Sequence, residues 1–273
     1  MRIEHSIYVA AFTSLDAVLV VALIAWAASV ALRNASVADV FWGLFFLVAA
    51  AAFLSALPSH GPRTAWLPVL AALWALRLSG HIAWRNHGQP EDRRYQQIRE
   101  RNQPNFAWKS VYLVFGLQGL LAWIISMPLL AALASPRSCD WLDMAGVIAW
   151  AIGWLYEAVA DFQLARFRAR QRSDHEAASV MDTGLWRYSR HPNYFGECCV
   201  WWGFYLVAFS AGGGWTIFSP LLVTFLLLKV SGVALLEKGM TERRPAYRDY
   251  IARTNAFVPG PPRDVSSSSQ ERH

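Results

Sequence analysis

The sequence has few charged residues and lacks the usual signatures of soluble nucleotide-binding and metal-dependent enzymes. Asp, Glu, Lys and Arg make up 16% of its 273 residues, whereas an ordinary soluble domain has about 25%. It contains no Walker loop and no G-x-G-x-x-G after a strand. Its seven His residues form no H-E-x-x-H motif and no cluster, and its three Cys residues show no metal or redox spacing. We therefore expect no metal site and no Rossmann-type nucleotide fold.

Apolar residues, in contrast, make up 55% of the chain, and the mean hydropathy is +0.25. Seven apolar runs are long enough, at roughly 17 residues or more, to cross a bilayer as helices. They are Ile7–Leu32, Val37–Leu57, Thr64–Trp84, Ser110–Ala134, Trp141–Ala160, Phe195–Ala211 and Trp215–Leu236. Short connections between the first three runs imply antiparallel neighbours in one bundle. The sequence thus predicts an all-α, polytopic integral membrane protein with seven transmembrane helices, a single domain over residues 1–262 and a disordered tail at 263–273.

Basic residues set the expected orientation of these helices. Three alternate connections, residues 85–109, 164–194 and 238–273, hold 19 of the 25 Lys and Arg residues. The positive-inside rule places these connections and the C-terminus in the cytosol and the N-terminus outside, in what we expect to be a bacterial cytoplasmic membrane. Topology and anionic lipid also account for the pI of about 9.5. We therefore expect membrane lipid, and no nucleic acid, as a partner.

Residues 184–197, with the sequence GLWRYSRHPNYFGE, form a dense polar and aromatic segment at the start of the sixth apolar run. Pro192 suits the first turn of a helix, on which Asn193 and Glu197 would face the same way and Trp201 would follow. A solvated helix start with a capping acid is the simpler interpretation. Taken together, however, the polar and aromatic side chains exceed what capping needs, namely Tyr188, Arg190, His191, Asn193, Tyr194 and Glu197. We therefore expect an anionic, ring-containing cofactor to bind here.

The fifth apolar run carries a second polar set. Glu157, Asp161 and Arg168 lie on one face of the predicted helix. An acid in a membrane helix is costly and is a functional hypothesis by default, although an internal ion pair of Asp161 with a nearby Arg would also explain it. A face of this kind can bind ribose hydroxyls through its acids and phosphates through the Arg residues that follow.

Three residues of the second and third runs are candidate proton donors. Asp39 opens the second run, where an acid also simply complements the helix dipole. Arg77 lies well inside the third run and must face the bundle or water. His81 follows it and can donate a proton, but a structural histidine explains it equally well. We predict that the catalytic proton donor is one of these three residues.

Residues 154–262 resemble the C-terminal domain of steroid 5α-reductases, in particular their large and poorly characterised bacterial branch. The resemblance rests on Asp161 and Arg168, on Gly184 and Leu185, on Asn193-Tyr194-Phe195-Gly196-Glu197 with Trp201, and on Tyr247, Tyr250 and Pro259. It implies a seven-helix membrane reductase in which NADPH, in a cytosol-facing cavity, reduces a carbon–carbon double bond conjugated to a carbonyl.

Residue by residue, the resemblance implies Asp161, Arg168, Asn193 and Glu197 as cofactor contacts, with Tyr194, Trp201 and Tyr250 as pocket walls. The polar residues described above complete the predicted cofactor site. It comprises Glu157, Asp161, Arg168, Arg187, Tyr188, Arg190, His191, Asn193, Tyr194, Glu197, Trp201 and Tyr250.

The chain departs from the family pattern at several positions, most of them in its first half. Asp39, Trp42 and Gly43 stand near the place of a Gln-Glu pair in the animal enzymes, no third-helix catalytic Tyr has a counterpart, and Val200 replaces an acid. We expect a monomer in which residues 1–153 bind a hydrophobic, steroid-like or other lipid substrate from the bilayer and residues 154–262 bind NADPH.

Two other functions stay open from the sequence. The Arg-His-Pro-Asn-Tyr motif at 190–194 is also similar to that of sterol C14 reductases and isoprenylcysteine methyltransferases. A membrane methyltransferase that uses S-adenosylmethionine and an acid such as Glu237 would therefore fit the same motif. A non-enzymatic lipid- or sterol-binding membrane protein would have the pocket without a nucleotide.

Overall fold

The computed structural model of the chain describes residues 2–58, 61–173, 180–230 and 246–263, and every regular element in these ranges is helical, as predicted. The helices are α1 (Arg2–Leu32), α2 (Val37–Ala56), α3 (Leu67–Asn86), α4 (Arg93–Arg101), α5 (Phe106–Ser110), α6 (Leu117–Ile125), α7 (Met127–Leu133), α8 (Trp141–Ser173), α9 (Pro192–Ser210), α10 (Phe218–Phe225) and α11 (Ala246–Arg253). Short 3-10 turns cover Pro62–Ala65, Gly184–Arg187 and Gly214–Ile217, and π-helical turns cover Val111–Gly116 and Leu226–Val230.

Five helical segments of the described residues are long and apolar enough to cross a membrane. They are His5–Leu32, Val37–Ala56, Pro62–Asn86, Phe106–Leu133 and Trp141–Gln171. The sixth predicted run forms α9 but is not among them, and Asn193 and Glu197 make the first two turns of α9 polar. The seventh run is described only as far as Val230. Several apolar helices are thus present, and the total of seven stays a prediction.

Two further predictions fall on residues that lie outside the described ranges. Glu237, the acid of the methyltransferase hypothesis, is one of them, and residues 264–273 of the predicted disordered tail are the others. The first tail residue, Arg263, is described, and its main-chain N–H donates to the main-chain oxygen of Arg253 at 2.8 Å.

The fourth span differs from the straight helix that its apolar run predicts. Ser126 ends α6, and Pro128, which has no N–H to donate and whose ring crowds the preceding turn, lies at the start of α7. Before α6, the π-helical turn Val111–Gly116 interrupts the regular hydrogen-bond pattern. This span is therefore assembled from short helices.

Contacts divide the chain into two compact units. Unit 1 comprises Met1–Met144 and Tyr205–Ser219, and unit 2 comprises Ala145–Phe204 and Pro220–His273. The predicted division at residue 153 into a substrate half and a cofactor half stays a prediction.

The core of unit 1 lies where α2 packs against α1 and α3. Phe46 of α2 contacts Trp42 one turn earlier and Trp74 of α3, with ring centroids 5.2 and 5.3 Å apart. Phe46 and Trp74 are fully buried. Edge-to-face packing of large rings of this kind fixes the spacing of the two helices.

A fully buried arginine in unit 1 joins three parts of the chain. Arg63 is 0% exposed, and its Nε and Nη2 donate to the two carboxylate oxygens of Asp143 at 2.7 Å each. Its Nη1 donates to the main-chain oxygen of Arg137 at 2.8 Å, and its Nη2 also donates to Oγ of Ser210 at 2.8 Å. The bidentate pair neutralises a charge that burial would otherwise make very unfavourable. It links the turn before α3 to the start of α8 and the end of α9.

In unit 2, α8 and α9 pack backbone to backbone through glycines, which we call the glycine seam (Gly146, Gly153, Gly196 and Gly203). A Cβ placed on Gly196 would lie 2.6 Å from the main-chain nitrogen of Glu157. A Cβ on Gly203 would lie 2.7 Å from the main-chain oxygen of Gly146. Small residues allow this close approach in membrane helices, where packing rather than burial from water drives association. The seam fixes α9 directly against α8.

The substitution Gly153→Ala tests the seam. We expect it to destabilise the protein by about 1–3 kcal/mol, the usual cost of overpacking, because its Cβ would meet the main-chain oxygen of Gly196 at 2.6 Å. Thermal unfolding of the purified protein in detergent measures the change. Gly80→Ala in α3 is the matched control, since a Cβ there meets no atom within 4 Å and alanine favours a helix. Equal melting temperatures for the two variants would contradict the close approach.

The substitution Arg63→Met tests the buried ion pair. We expect a loss of about 3–5 kcal/mol, because the variant leaves Asp143 in the interior without its counter-charge. Arg253→Met is the control: it removes an exposed pair with Asp182, whose N–O distance is 3.5 Å, and such pairs contribute at most about 1 kcal/mol. The same thermal unfolding assay compares the two variants. A loss no larger for Arg63 than for Arg253 would mean that the buried pair stabilises no more than a surface pair.

Candidate functional site

In unit 2, α8 presents two buried carboxylates beside the first turns of α9. Glu157 and Asp161 are one turn apart and are 2% and 7% exposed. Helix α9 begins at Pro192, as predicted, and the next residue, Asn193, donates its Nδ2–H to Oδ1 of Asp161 at 3.1 Å. The contact joins two residues that the sequence assigns to one site from separate segments.

The glycine seam explains why these groups meet. Gly196 lies one turn after Asn193 and packs on the main chain and Cβ of Glu157, at distances that no side chain would permit. The start of α9 is therefore held at the level of the two acids. The acids and Asn193 are predicted from the sequence, whereas the seam is not. Its signal was present as glycines seven residues apart in both helices, at 146 and 153 and at 196 and 203.

Two tryptophans continue this side of α8. Trp150 and Trp154 precede Glu157 and Asp161 at helical spacing, and their rings stack at a centroid distance of 6.0 Å and an interplanar angle of 16°. The indole N–H of each is buried and has no hydrogen-bond acceptor among the described residues. Unsatisfied buried donors are rare and call for an acceptor from a bound molecule or an ordered water. This side of α8 thus offers two donors as well as two carboxylates.

The segment before α9 is fixed on α8 by Gln163, a residue that the sequence analysis did not identify. Its side-chain Oε1 accepts from the main-chain N–H of Leu185 at 3.0 Å. The indole N–H of Trp186 donates to the main-chain oxygen of Ala160 at 3.1 Å. Gly184 has a φ of +60°, and a Cβ there would lie 2.5 Å from the Gln163 amide. Only glycine therefore suits this position.

Residues 246–263, which we call the C-terminal strap, lie on the same segment. Arg190 donates through Nη1 to the main-chain oxygens of Thr254 and Ile251, the latter at 3.2 Å. The hydroxyl of Tyr250 donates to the main-chain oxygen of Trp186. Arg190 and Tyr250 are both buried. These contacts give the two residues a structural role in holding the strap, and their role at the cofactor stays a prediction.

Main-chain hydrogen bonds complete the attachment of the strap. The N–H of Arg190 donates to the oxygen of Asn255 at 2.9 Å, and Oγ of Ser189 donates to the oxygen of Phe257 at 2.7 Å. Gly260 donates in turn to the main-chain oxygen of Tyr188 at 3.0 Å. The strap therefore follows the residues that lead into α9.

The remaining predicted cofactor residues fall into two groups. His191 and Tyr194 stack with a centroid distance of 5.6 Å and an interplanar angle of 5°, and Trp201 is buried against Phe204 at 5.5 Å. Glu197 is half-buried. The side chains of Arg168, Arg187 and Tyr188 are exposed. The acids and the Asn193 amide of the predicted site are thus buried or half-buried, whereas Arg168 and Arg187 are exposed.

In unit 1, Asp39 has partners that the sequence analysis did not identify. Nη2 of Arg94 donates to its Oδ2 at 2.7 Å, and the hydroxyl of Tyr95 donates to its Oδ1 at 2.5 Å. The amide Nε2 of Gln118 donates to the hydroxyl oxygen of Tyr95 at 3.0 Å. Asp92 caps α4 by accepting from the main-chain N–H of Arg94, which directs these side chains toward α2. In the sequence, the sign of this cluster is the run of mostly charged residues at 91–95.

Burial and a neighbouring charge keep the Tyr95 hydroxyl protonated, and neighbouring charges keep the Arg94 guanidinium protonated. Burial raises the pKa of the Tyr95 hydroxyl well above its ordinary value, and the nearby Asp39 carboxylate raises it further. Burial alone would lower the pKa of Arg94, but Asp39 and Asp92 outweigh it and raise that pKa above its usual range. Tyr95 therefore keeps its proton at physiological pH, and Arg94 keeps its charge.

Arg77 and His81, the other predicted proton donors, lie on α3 and are half-buried. The His81 ring lies 6.0 Å from the ring of Trp84, one turn later. Their proposed part in proton transfer stays a prediction. Among the residues that the structure describes, no group of three or more His, Cys, Asp or Glu is placed to hold a metal ion.

Comparisons with known proteins give a family match without a described activity. A family model described as "Protein of unknown function (DUF1295)" matches residues 25–254. An uncharacterized protein of Schizosaccharomyces pombe is 38% identical over 80 residues, which are 28% of this chain and 23% of that protein. The chain thus aligns with less than a quarter of the length of this curated relative. No solved structure matches the chain.

Proposed function

The chain belongs to the DUF1295 family, and we propose that it is a membrane-embedded reductase that uses NADPH to reduce a carbon–carbon double bond conjugated to a carbonyl. The observation that carries the proposal is the hydrogen bond between Asn193 and Asp161, beside the buried Glu157. Asp161 and Asn193 belong to the motif by which the chain resembles steroid 5α-reductases. Their meeting across α8 and α9 supports a single cofactor site made from both helices.

The donor and acceptor groups of this site suit a dinucleotide. The carboxylates of Glu157 and Asp161 can accept from ribose hydroxyls, and the side-chain amide of Asn193 can both donate to and accept from a carboxamide. Arg168 and Arg187, which are exposed, can bind phosphate oxygens bidentately. NADPH supplies the hydride. The protein residues bind and orient it and exclude water behind the buried acids.

In unit 1 we propose the Asp39–Tyr95 pair as the proton site, with Arg77 and His81 as the other candidates. The Tyr95 hydroxyl is buried, keeps its proton and receives a hydrogen bond from Gln118. A general acid must carry its proton at the working pH and must come within hydrogen-bond reach of the substrate, and Tyr95 meets the first of these conditions. The proposed substrate is a hydrophobic enone, steroid-like or another lipid, that enters from the bilayer.

The finer topology belongs to the same proposal. We propose seven transmembrane helices in a steroid 5α-reductase-like arrangement, as a monomer in a bacterial cytoplasmic membrane. The N-terminus would lie outside and the C-terminus in the cytosol, as the basic connections indicate.

The methyltransferase alternative draws less support from the described residues. Its motif includes Arg190, whose Nη1 donates to the main-chain oxygens of Thr254 and Ile251. Its proposed acid, Glu237, lies outside the described ranges. Binding of S-adenosylmethionine without binding of NADPH would favour this alternative, and binding of neither would favour a non-enzymatic lipid-binding protein.

The substitution Asn193→Ala tests the cofactor site. It removes the side-chain amide that we propose to bind the carboxamide of NADPH and that also holds Asp161 in place. A hydrogen bond contributes about 0.5–1.5 kcal/mol, so we expect the Kd for NADPH to rise by up to roughly tenfold. Titration calorimetry on purified protein measures NADPH and S-adenosylmethionine in parallel. Asn86→Ala is the matched control, since Asn86 accepts only a 3.2 Å bond from its neighbour Arg85 among the described hydrogen bonds of its side chain. An unchanged NADPH affinity in Asn193→Ala would remove this residue from the site.

The substitution Tyr95→Phe tests the proton site. We expect kcat for enone-dependent oxidation of NADPH to fall about 100-fold or more, the usual contribution of a positioned general acid. The Kd for NADPH should stay within about twofold, because Tyr95 is not among the proposed cofactor residues. Tyr112→Phe, at an exposed tyrosine, is the control. A 3-oxo-4-ene steroid is the first substrate to use, and an unchanged kcat in Tyr95→Phe would exclude the pair as proton donor.

A further inference from the structure

The side of α8 that faces away from the proposed cofactor site contains a cavity. It has a volume of about 480 Å³ and lies in unit 2 between the second half of α8 and the segment that leads into Gly184. Its polar lining includes Gln163, Arg166, Arg170 and Thr183, and its apolar lining includes Phe162. This volume falls within the range of about 300–1,000 Å³ that is typical of ligand sites.

The cavity is separate from the acids on α8. Arg166 follows Asp161 by five residues and Arg170 follows it by nine, and these offsets fall on the far side of a helix with 3.6 residues per turn. Arg168, in contrast, follows Asp161 by seven residues and lies on the same side as that acid. The two arginines of the cavity therefore belong to a different surface from the residues proposed to bind NADPH.

An exposed apolar stripe leads along α8 to the cavity. Ile152, Leu155, Val159 and Phe162 recur every three or four residues and are between 43% and 65% exposed. The same spacing continues to Arg166 and then to Arg170. Within a helix that is long and apolar enough to cross a membrane, such a stripe is the surface that acyl chains contact. Arginines at the end of such a stripe are suited to the polar boundary of a bilayer, because long basic side chains keep their charged groups in water.

The charged side chains among the described residues that line the cavity are both basic, and such a lining favours an anion. Arg166 and Arg170 line the cavity, and Asp182, the acid between its lining residues Met181 and Thr183, forms an ion pair with Arg253 at 3.5 Å. Guanidinium groups bind phosphate oxygens bidentately, and the Thr183 hydroxyl and Gln163 amide can add neutral hydrogen bonds. Basic groups next to a membrane helix attract anionic headgroups in the same way.

We propose that this cavity is a binding site for the phosphate headgroup of an anionic phospholipid, with the acyl chains lying along the stripe Ile152–Phe162. Arg166 and Arg170 bind the phosphate, and Phe162 contacts the start of the chains. The site is independent of the reductase chemistry and holds whether or not the protein binds NADPH. The apolar stripe favours a lipid over free phosphate, because a soluble anion would gain nothing from it.

Native mass spectrometry of the full-length protein in detergent tests the proposal. Phosphatidylglycerol is titrated against phosphatidylcholine and against inorganic phosphate, with the double variant Arg166→Gln/Arg170→Gln beside the wild type. Each basic residue at a membrane surface contributes about 1 kcal/mol, so the double variant should bind phosphatidylglycerol roughly 20- to 30-fold more weakly. Wild-type protein should prefer phosphatidylglycerol to phosphatidylcholine by a similar factor.

The double variant Arg93→Gln/Arg101→Gln is the charge-matched control, since it removes two exposed basic residues from another basic connection. It should bind phosphatidylglycerol as the wild type does. Equal weakening in both double variants would overturn the site in favour of general charge attraction. Displacement of the lipid by inorganic phosphate or by NADPH would overturn it in favour of a soluble anion.

A second measurement does not depend on the stability of any variant. Wild-type protein is mixed with a photoactivatable phosphatidylglycerol that carries its reactive group near the headgroup, and the cross-linked peptides are identified. We expect cross-links within residues 162–170 or 181–184. Cross-links confined to other peptides would overturn the proposal.

Discussion

Unit 2 depends on one constraint, the direct contact of the α8 and α9 backbones at the glycine seam. Glycine in the middle of a helix costs about 1 kcal/mol relative to alanine. The seam glycines therefore destabilise each helix locally, but they allow the two helices to approach closely. That distance allows the short side chain of Asn193 to reach Asp161 at 3.1 Å. With ordinary side chains at Gly153 and Gly196, α9 would stand further out and the amide would not reach the acid.

Two buried polar clusters among the described residues differ in how fully their hydrogen-bonding groups are satisfied. Arg63 and Asp143 satisfy each other with two parallel hydrogen bonds, and main-chain and hydroxyl groups take up the remaining capacity. This is the arrangement expected of a structural ion pair. The polar side of α8 differs, because the indole N–H groups of Trp150 and Trp154 are buried there without an acceptor among the described residues. A surface of that kind is suited to a ligand that brings its own acceptors.

A feature of this molecule can be predicted from the sequence when the residues that determine it are close together in the chain. The apolar runs located α1, α2, α3 and the membrane part of α8 closely, because length and hydropathy are local properties. Pro192 likewise marked the start of α9. The break at Ser126 was missed because hydropathy does not register helix interruptions, although Pro128 was visible.

The contacts of the candidate site were not predicted either, because they join residues that are far apart in the chain. Helical spacing placed Glu157 and Asp161 on one face, but their meeting with Asn193 depends on a helix contact that no local pattern encodes. The partners of Asp39 lie 55 and 56 residues further along the chain, so only the tertiary structure could supply them. Arg190 was expected at a ligand because it is basic and stands in a dense motif. Its contacts with the C-terminal strap come from residues about 60 positions later.

The attachment of the C-terminal strap has a consequence for how this part of the chain can vary between species. Ser189 and Arg190 supply donors, whereas their acceptors in the strap are peptide carbonyl groups of Ile251, Thr254, Asn255 and Phe257. Every amino acid carries such a carbonyl. Selection from these contacts therefore falls on the identity of Ser189 and Arg190, on Tyr250, whose hydroxyl donates from the strap, and on the path of the strap. The identities of the four residues that only accept through their carbonyl groups are less constrained.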